Sequence, residues 1–258
     1  MSKIGITLSG GGARGIAHIG ALAALEEAGI FPEVISGTSA GSIVGALYAA
    51  GISPAKMLEI FKEGSLIKTI NFGLPITGLT KLTYLKKQLA KHIQDDSFEC
   101  LEKKLFIAIT NLNKGEEEII DSGPLFDVVV ASSSIPLAFK PVEINQHSYV
   151  DGGLMRNMPV EPVKEMADFV IGINVMPHVH VAHKKVNSMV EIAMRSFDLV
   201  IWNNSQFDLS LCDIVVEPKE LMDYHILAFN KAEEIFEIGY KATQLQIANL
   251  KNKLAAME

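Results

Sequence analysis

Short apolar runs alternate with longer segments of helical spacing along most of the chain. Ile4–Leu8 is the first such run, and it is followed by a glycine-rich segment and by Ile16–Ala28, whose apolar residues recur with helical spacing up to the C-capping Gly29. A second run, Phe31–Ser36, leads into the helix-compatible Ser42–Ala50. The pattern predicts two parallel strands joined by a helix, with both following loops at the carboxyl edge of one sheet.

The rest of the chain continues this alternation. Further strands are predicted at Leu105–Leu112, Glu116–Ile120, Phe139–Ile144, Ser148–Val150, Asp168–Val175 and Asp213–Val216. Further helices are predicted at Ser53–Phe61, Tyr84–Ile93, Pro124–Ser132, Val186–Leu209 and Phe229–Leu254. Strands separated by helices from end to end predict an α/β fold, a three-layer α/β/α sandwich with a mostly parallel central sheet. Without repeats or linkers, residues 1–258 are expected to form one domain.

The segment 64–80 keeps neither the helical nor the strand period. It is apolar and is interrupted by glycine and proline, as in Gly73-Leu74-Pro75. An ordinary excursion packed on the core is favoured over a mobile lid or an acyl-chain contact surface, and both interpretations stay open.

Composition and charge narrow the function classes. A formal net charge of −7 argues against a nucleic-acid surface and against a polybasic membrane anchor. Two cysteines, Cys100 and Cys212, are too few for a disulfide framework and fit a reducing compartment. No window reaches the ~20 apolar residues of a membrane-spanning helix, and no signal peptide precedes Ile4–Leu8. We expect a cytoplasmic protein with transient contact to the inner membrane face.

The segment Gly37-Thr38-Ser39-Ala40-Gly41 matches the GxSxG pattern. A strand enters it and a helix leaves it, which is typical of a nucleophile elbow with its serine exposed at a helix N-terminus. Free backbone N–H groups there favour the negative charge that develops in acyl transfer. An isolated GxSxG motif is equally compatible with a serine that merely caps a helix.

The glycine-rich segment Gly10-Gly11-Gly12-Ala13-Arg14-Gly15 has two interpretations. It matches the dinucleotide fingerprint, but the second strand has its only acid, Glu33, at its start, so the ribose would lack an acceptor. No lysine of a phosphate-binding loop is present either. Consecutive glycines let several N–H groups converge on one oxygen, so Gly10, Gly11 and Gly12 are better explained as an oxyanion hole. Arg14 would steady the loop or favour an anionic headgroup.

A serine nucleophile needs a base, and two candidates present themselves. Asp151 ends an apolar segment and is followed by Gly152 and Gly153, which leave room around it. The order Ser39, Asp151, His178 would also satisfy a hydrolase triad. His178 belongs to a cluster with His180 and His183 that looks like an exposed loop. That cluster lacks an acidic or cysteine ligand, so neither a metal nor a cofactor is expected.

Taken together, the sequence resembles the patatin-like phospholipases, especially small bacterial members related to the catalytic domain of neuropathy target esterase. The resemblance spans most of the chain and rests on four motifs in matching order: Gly10–Gly15, Gly37–Gly41, Ala131–Pro136 and Asp151–Gly153. It implies hydrolysis of lipid acyl esters by a Ser–Asp dyad without histidine, with a glycine-loop oxyanion hole. Ser39 would be the nucleophile, Asp151 the base, and Ala131–Pro136 a wall of the site.

The expected function is therefore that of a serine hydrolase of phospholipase, lysophospholipase or carboxylesterase type. The supporting residues are expected to be Ala13, Arg14, Gly15, Gly37, Gly41, Gly152 and Gly153. Three alternatives remain: a Ser–Asp–His triad esterase, a non-catalytic nucleotide-binding α/β protein, and a catalytically idle scaffold that keeps the fold.

Overall fold

The computed structural model of the protein describes residues 2–63, 82–136, 138–180 and 186–257, so the segment 64–80 lies outside the described residues. Within the described residues eight strands form one sheet: β1 (Ile4–Leu8), β2 (Val34–Gly37), β3 (Lys104–Asn111), β4 (Glu116–Ile120), β5 (Val142–Ile144), β6 (His147–Asp151), β7 (Phe169–Ile173) and β8 (Ile214–Val216). The α-helices are α1 (Ile16–Glu27), α2 (Ala40–Ala49), α3 (Pro54–Lys62), α4 (Thr83–His92), α5 (Leu125–Ser132), α6 (Glu161–Lys164), α7 (Met189–Leu211) and α8 (Ala232–Ala255).

The sheet is parallel at its centre and antiparallel at one side. β1 pairs in parallel with β2 and β7, β2 pairs in parallel with β3, and β7 pairs in parallel with β8. β4 and β6 are antiparallel to β3, and β5 is antiparallel to β6. The predicted α/β fold with a mostly parallel sheet is confirmed.

Helices cover both faces of this sheet, unequally. Successive residues of a strand face opposite sides, so Val34 and Ile35 of β2 belong to two different hydrophobic clusters. The larger cluster joins the sheet to α1, α2, α3, α4, α5 and α8. The smaller one contains Val163 of α6 and is bordered by Leu209 and Leu211 of α7. Among the described helices, none combines the length and the apolar character needed to cross a bilayer.

Several element boundaries differ from the sequence prediction by a few residues, and three of these differences have a local reason. β2 begins at Val34 rather than Phe31, because Phe31 is exposed and Pro32 has no N–H for the ladder. β5 likewise begins at Val142, just after Pro141. α7 begins at Met189 rather than Val186, because Ser188 forms a capping box with Glu191.

Two strands meet end to end along β3. Gly37, the last residue of β2, lies opposite Ile107, and Asp151, the last residue of β6, lies opposite Ile109. Ile107 is also paired with β4, so β2 and β4 must flank β3 on opposite sides. β6 overlaps β4 along β3 and therefore lies on the side of β2. The turn after β2 and the end of β6 are thereby brought together.

The helices α1 and α8 approach each other until their backbones touch. A Cβ atom at Gly239 of α8 would lie 2.0 Å from the carbonyl oxygen of Ala17, and one at Gly20 of α1 would lie 2.0 Å from the carbonyl oxygen of Phe236. Glycine is therefore required at this crossing for packing. Because α1 starts directly after the glycine-rich segment, α8 supports that segment from behind.

Candidate active site

Ser39 lies in a sharp turn between β2 and α2. Its backbone dihedrals, φ 53° and ψ −119°, place a non-glycine residue at positive φ. Such strain persists only where the surroundings fix it, and it is typical of functional sites. The turn is tight: a Cβ atom at Gly41 would lie 2.1 Å from the carbonyl oxygen of Leu8. Only glycine can occupy position 41 without moving β1.

Serine side chains hold the Ser39 backbone in this conformation. The Ser39 N–H donates to the Ser132 Oγ atom at 2.8 Å, and the Ser132 hydroxyl in turn donates to the Ala108 carbonyl of β3 at 2.8 Å. The Ser42 hydroxyl donates to the Ser39 carbonyl at 2.7 Å. Ser132 belongs to the Ala131–Pro136 motif, so this motif contacts the turn directly.

Asp151 lies beside Ser39 and is buried. The Ser39 hydroxyl lies close enough to the Asp151 carboxylate to favour its ionised form through hydrogen bonding, and the Gly153 N–H donates to Asp151 Oδ1 at 2.8 Å. Burial raises the pKa of Asp151 from 3.8 to about 7, although both hydrogen bonds act in the opposite direction. A carboxylate with such a pKa is a far better proton acceptor near neutral pH than an exposed aspartate.

The glycine-rich segment contributes backbone N–H groups. The Gly10 N–H is occupied, because it donates to Asn157 Oδ1 at 3.0 Å. Gly11 and Gly12 have φ values of 157° and 59°, and their N–H groups have no hydrogen-bond partner within the part of the chain that the structure describes. Of the three glycines predicted to supply the oxyanion hole, Gly11 and Gly12 therefore have donors to offer, while Gly10 is held in place by Asn157.

Two charged or titratable residues support this segment. Arg14 is buried and donates from Nε to the Tyr224 carbonyl at 2.9 Å; burial lowers the pKa of Arg14. His18 is fully buried with its Nε2 atom 2.8 Å from the Ser9 carbonyl, and burial lowers the pKa of His18 to about 4. Arg14 therefore steadies the loop, the first of the two roles considered from the sequence. The Ala13 N–H adds a bond to the Ile226 carbonyl at 2.7 Å.

Two cavities meet at Ser39. The larger is lined almost entirely by apolar groups, among them Ala40, Ile43, Val44, Phe61, Leu82, Leu85, Ile135, Phe139 and Phe229. The smaller also contains Asp151 and is lined by Gly10, Gly11, Gly12, Asn157, Met176, Met194, Phe197, Asp198 and Ile201. The two parts of an ester substrate can thus lie on either side of one serine.

The histidine cluster is not at this site as far as it is described. His178 and His180 are exposed, and the His178 ring packs against Trp202 with 4.4 Å between ring centroids. Within the described ranges, no histidine lines either cavity at Ser39. His183 lies outside the described residues.

Asn157 and Ser132 position the site, and sequence reasoning did not single them out for this role. Asn157 is fully buried; besides accepting from Gly10, its side chain donates to Ser205 Oγ of α7. Asn204 of α7 donates to the Gly153 carbonyl at 2.9 Å. The only sequence signal for Asn157 is that it is a polar residue in the short segment after Gly153. That signal does not reveal which residue it binds.

Arg156 joins three elements next to the site. Its guanidinium contacts Glu117 of β4, Glu161 of α6 and Asp208 of α7, each at 2.8 Å. Its carbonyl accepts a hydrogen bond from the Thr38 hydroxyl, next to Ser39. Burial raises the pKa of Asp208 to about 6, while Arg156 acts to lower it. Arg156 thus ties the segment after Asp151 to the turn that carries Ser39.

Comparison with known proteins identifies the family of the chain. A family model described as patatin-like phospholipase matches residues 6–164. Lysophospholipase NTE1 of Kluyveromyces lactis is 28% identical over 92% of this chain, and its counterpart in Candida glabrata is 36% identical over 62%. The chain spans only 18% and 10%, respectively, of the lengths of these relatives.

Solved structures give the same result for the fold. VipD from Legionella pneumophila matches with a TM-score of 0.52 and 16% identity, covering 92% of this chain and 67% of VipD. The family model covers more than half of the chain, including the turn at Ser39 and the Asp151–Gly153 segment. The chain belongs to the patatin-like phospholipase family.

Proposed function

We propose that the chain hydrolyses acyl esters of lipids, with Ser39 as the nucleophile and Asp151 as its general base. The observation that carries this proposal is the position of the strained, buried Ser39 beside a buried carboxylate with a pKa of about 7. Membership in the patatin-like phospholipase family and the name lysophospholipase borne by its relatives support the reaction class.

The proposed reaction has two steps. Asp151 accepts the hydroxyl proton as Ser39 Oγ attacks the ester carbonyl carbon, and the N–H groups of Gly11 and Gly12 stabilise the negative oxygen. Collapse of this intermediate breaks the ester bond, and the leaving alcohol takes the proton from Asp151. Water then attacks the acyl-serine, again giving a proton to Asp151, and a fatty acid is released while Ser39 regains its hydroxyl proton.

The cavities fit a lipid ester. The larger, apolar cavity adjoins Ser39 and suits an acyl chain, whose burial contributes about 0.8 kcal/mol per CH₂ group. The smaller one also adjoins Ser39 and contains Asp151, so the leaving alcohol would lie there beside the group proposed to protonate it. A phospholipid with one or two acyl chains is therefore the proposed substrate class.

Covalent labelling and turnover test the proposal. A fluorophosphonate should label the wild type and not Ser39→Ala, and turnover of a p-nitrophenyl ester should fall by at least ~10³-fold in Ser39→Ala and Asp151→Asn. Asp127→Asn, the same chemical change at a half-exposed position on α5 that lines neither cavity, is the matched control and should keep wild-type turnover. Full activity of either site variant would exclude the dyad.

The triad alternative is tested with the same assay. A variant with alanine at His178, His180 and His183 should keep wild-type turnover if Asp151 acts without histidine. Loss of turnover in this variant, with its fold intact by circular dichroism, would favour the Ser–Asp–His triad instead.

A further inference from the structure

The helix α7 forms a wall of the candidate site. Met194, Phe197 and Ile201 line the smaller cavity beside Ser39 and Asp151. Further along the same side, Asn204 and Ser205 hydrogen-bond to the segment after Asp151. This inner side of α7 is therefore fully engaged by the site.

The opposite side of α7 faces solvent and is uncharged over five turns. We call it the outer face; its exposed residues are Ile192, Ser196, Leu199, Val200, Asn203, Gln206, Phe207 and Ser210. They recur every three or four positions, which places them on one side of the helix. Ile192 is 51% exposed, Leu199 42%, Val200 43% and Phe207 60%. In a chain of which 21% of residues are charged, a solvent-facing strip of this length without one charge indicates a contact surface.

We propose that the outer face of α7 docks onto the surface of a zwitterionic lipid bilayer. The charge pattern selects this occupant: the face has no lysine or arginine to attract anionic headgroups, and the net charge of −7 repels them. Exposed leucine, isoleucine and phenylalanine on one helix side bury favourably at the boundary of headgroups and acyl chains. From Ile192 to Ser210 the outer face offers about 28 Å of such contact.

The position of α7 suggests how docking would help catalysis, an argument that rests on the proposed function. The inner side of α7 lines the cavity at Ser39, so docking of the outer face would bring that cavity to the lipid surface. A lipid ester would then travel only the thickness of one helix to reach Ser39, about 10 Å.

Trp202 provides a reporter for this contact. It is the single tryptophan of the chain, is half-buried, and lies on α7 between Ile201 of the inner side and Asn203 of the outer face. Phosphatidylcholine vesicles added to Ser39→Ala protein should shift its emission to the blue, and doxyl-labelled phosphatidylcholine should quench it. Because this variant cannot turn over substrate, the measurement does not depend on the proposed function.

Charge placed on the outer face should abolish the contact. In the Ser39→Ala background, Leu199→Glu with Phe207→Glu should weaken vesicle binding at least tenfold, because two apolar side chains leave the lipid and two charges must remain in water. Leu245→Glu on α8, where the leucine is 82% exposed, is the matched control and should bind like the parent. If the glutamate pair impairs folding, Leu199→Ser with Phe207→Ser tests the same face.

Activity provides a second readout. In protein that retains Ser39, the Leu199→Glu and Phe207→Glu pair should leave turnover of a soluble short-chain ester unchanged. The same pair should lower turnover of vesicle-bound lipid at least tenfold. Absence of vesicle binding by the parent, or equal binding by the glutamate pair, would overturn the proposal. A dimer seen by light scattering that the glutamate pair dissociates would also overturn it, since the outer face would then be an interface between two copies.

Discussion

Asp151 combines two properties that rarely coexist in a carboxylate. It is 3% exposed, yet no Lys or Arg forms a salt bridge with it among the described residues. Its hydrogen bonds come from neutral groups, the Ser39 hydroxyl and the Gly153 N–H, which leaves burial as the dominant influence on its pKa. The proton affinity of this single side chain therefore sets the pH range in which the proposed reaction runs.

We expect kcat/KM to rise with pH and to reach half of its plateau near pH 7. The base accepts a proton only when ionised, and the pKa of Asp151 is about 7. The check is a profile from pH 5 to pH 9 with a soluble ester whose chemistry does not titrate in this range. A profile already flat at pH 5 would show that Asp151 is ionised far below this value or is not the base.

Asn157 acts as a positioning residue for the glycine-rich segment. In Asn157→Ala the buried Gly10 N–H would lose its acceptor, at a cost of about 1–3 kcal/mol. We expect kcat to fall about 10- to 100-fold with KM little changed. Asn157→Asp keeps an acceptor oxygen and should recover part of kcat, with the pH profile moved upwards because a second carboxylate faces Asp151. Wild-type kcat in the alanine variant would contradict this role.

At this scale the sequence predicted that Ser39 and Asp151 belong to one site, but it did not predict the residues that hold them in place. Ser39 and Asp151 lie in motifs whose glycines mark tight turns, and a tight turn is visible in sequence. The contacts of Ser132 with Ser39 and of Asn157 with Gly10 span 93 and 147 residues. Such contacts arise from the tertiary packing of α5 and α7, which local patterns do not encode.

Among the elements, the crossing of α1 and α8 illustrates a similar limit. Both helices were predicted from their periodicity, and their lengths agree with the structure to within a few residues. Their backbone contact at Gly20 and Gly239 was not predicted, because a glycine within a helix is locally only a weak helix former.

Gly239→Ala tests this crossing. The added methyl group would lie 2.0 Å from the Ala17 carbonyl oxygen, so α8 must move away from α1. We expect the free energy of unfolding to fall by about 1–3 kcal/mol, because overpacking outweighs the gain of about 1 kcal/mol in helix propensity. Asn249→Ala, at an exposed position of α8, is the control and should change stability by less than about 0.5 kcal/mol. Urea titrations of both variants measure the difference; an unchanged midpoint for Gly239→Ala would show that the crossing adjusts freely.

For the molecule as a whole, two buried titratable groups act on stability with opposite sign. The pKa of His18 is lowered from 6.5 to about 4, so the unfolded chain binds more protons between these values and stability falls as the solution is acidified. The pKa of Asp151 is raised from 3.8 to about 7, so the folded chain binds more protons and stability falls as pH rises across that interval. Between pH 4 and pH 6.5 the two contributions largely cancel.

Asp151→Asn removes one of these contributions. We expect the variant to be more stable than the wild type at pH 8 by about 1–3 kcal/mol, because it no longer has to ionise a buried carboxyl group. At about 1.4 kcal/mol per pKa unit, the raised pKa of Asp151 corresponds to a cost of up to about 4 kcal/mol in the wild type. At pH 4 the two proteins should be nearly equal, and the difference in stability between them should grow as pH rises from 4 to 7. Chemical unfolding at four pH values measures this. Equal stability at pH 8 would show that the carboxylate is not strained by burial.

The class of fold followed from the alternation of apolar runs and helical segments, which is a property of the chain as a whole. The branching of the sheet at β3 could not be predicted in this way, because the sequence Leu105–Leu112 does not indicate that this strand pairs with three others. Pairing partners depend on the three-dimensional arrangement rather than on one strand's composition.

The meeting of β2 and β6 on one edge of β3 bears on when during folding the serine becomes reactive. Ser39 and Asp151 are distant in sequence, and each is positioned by pairing of its own strand with β3. Closing such long loops is slow compared with forming helices. A refolding chain should therefore recover its helical signal before it can be labelled by a fluorophosphonate, so that newly made or partly folded chains carry an unreactive serine.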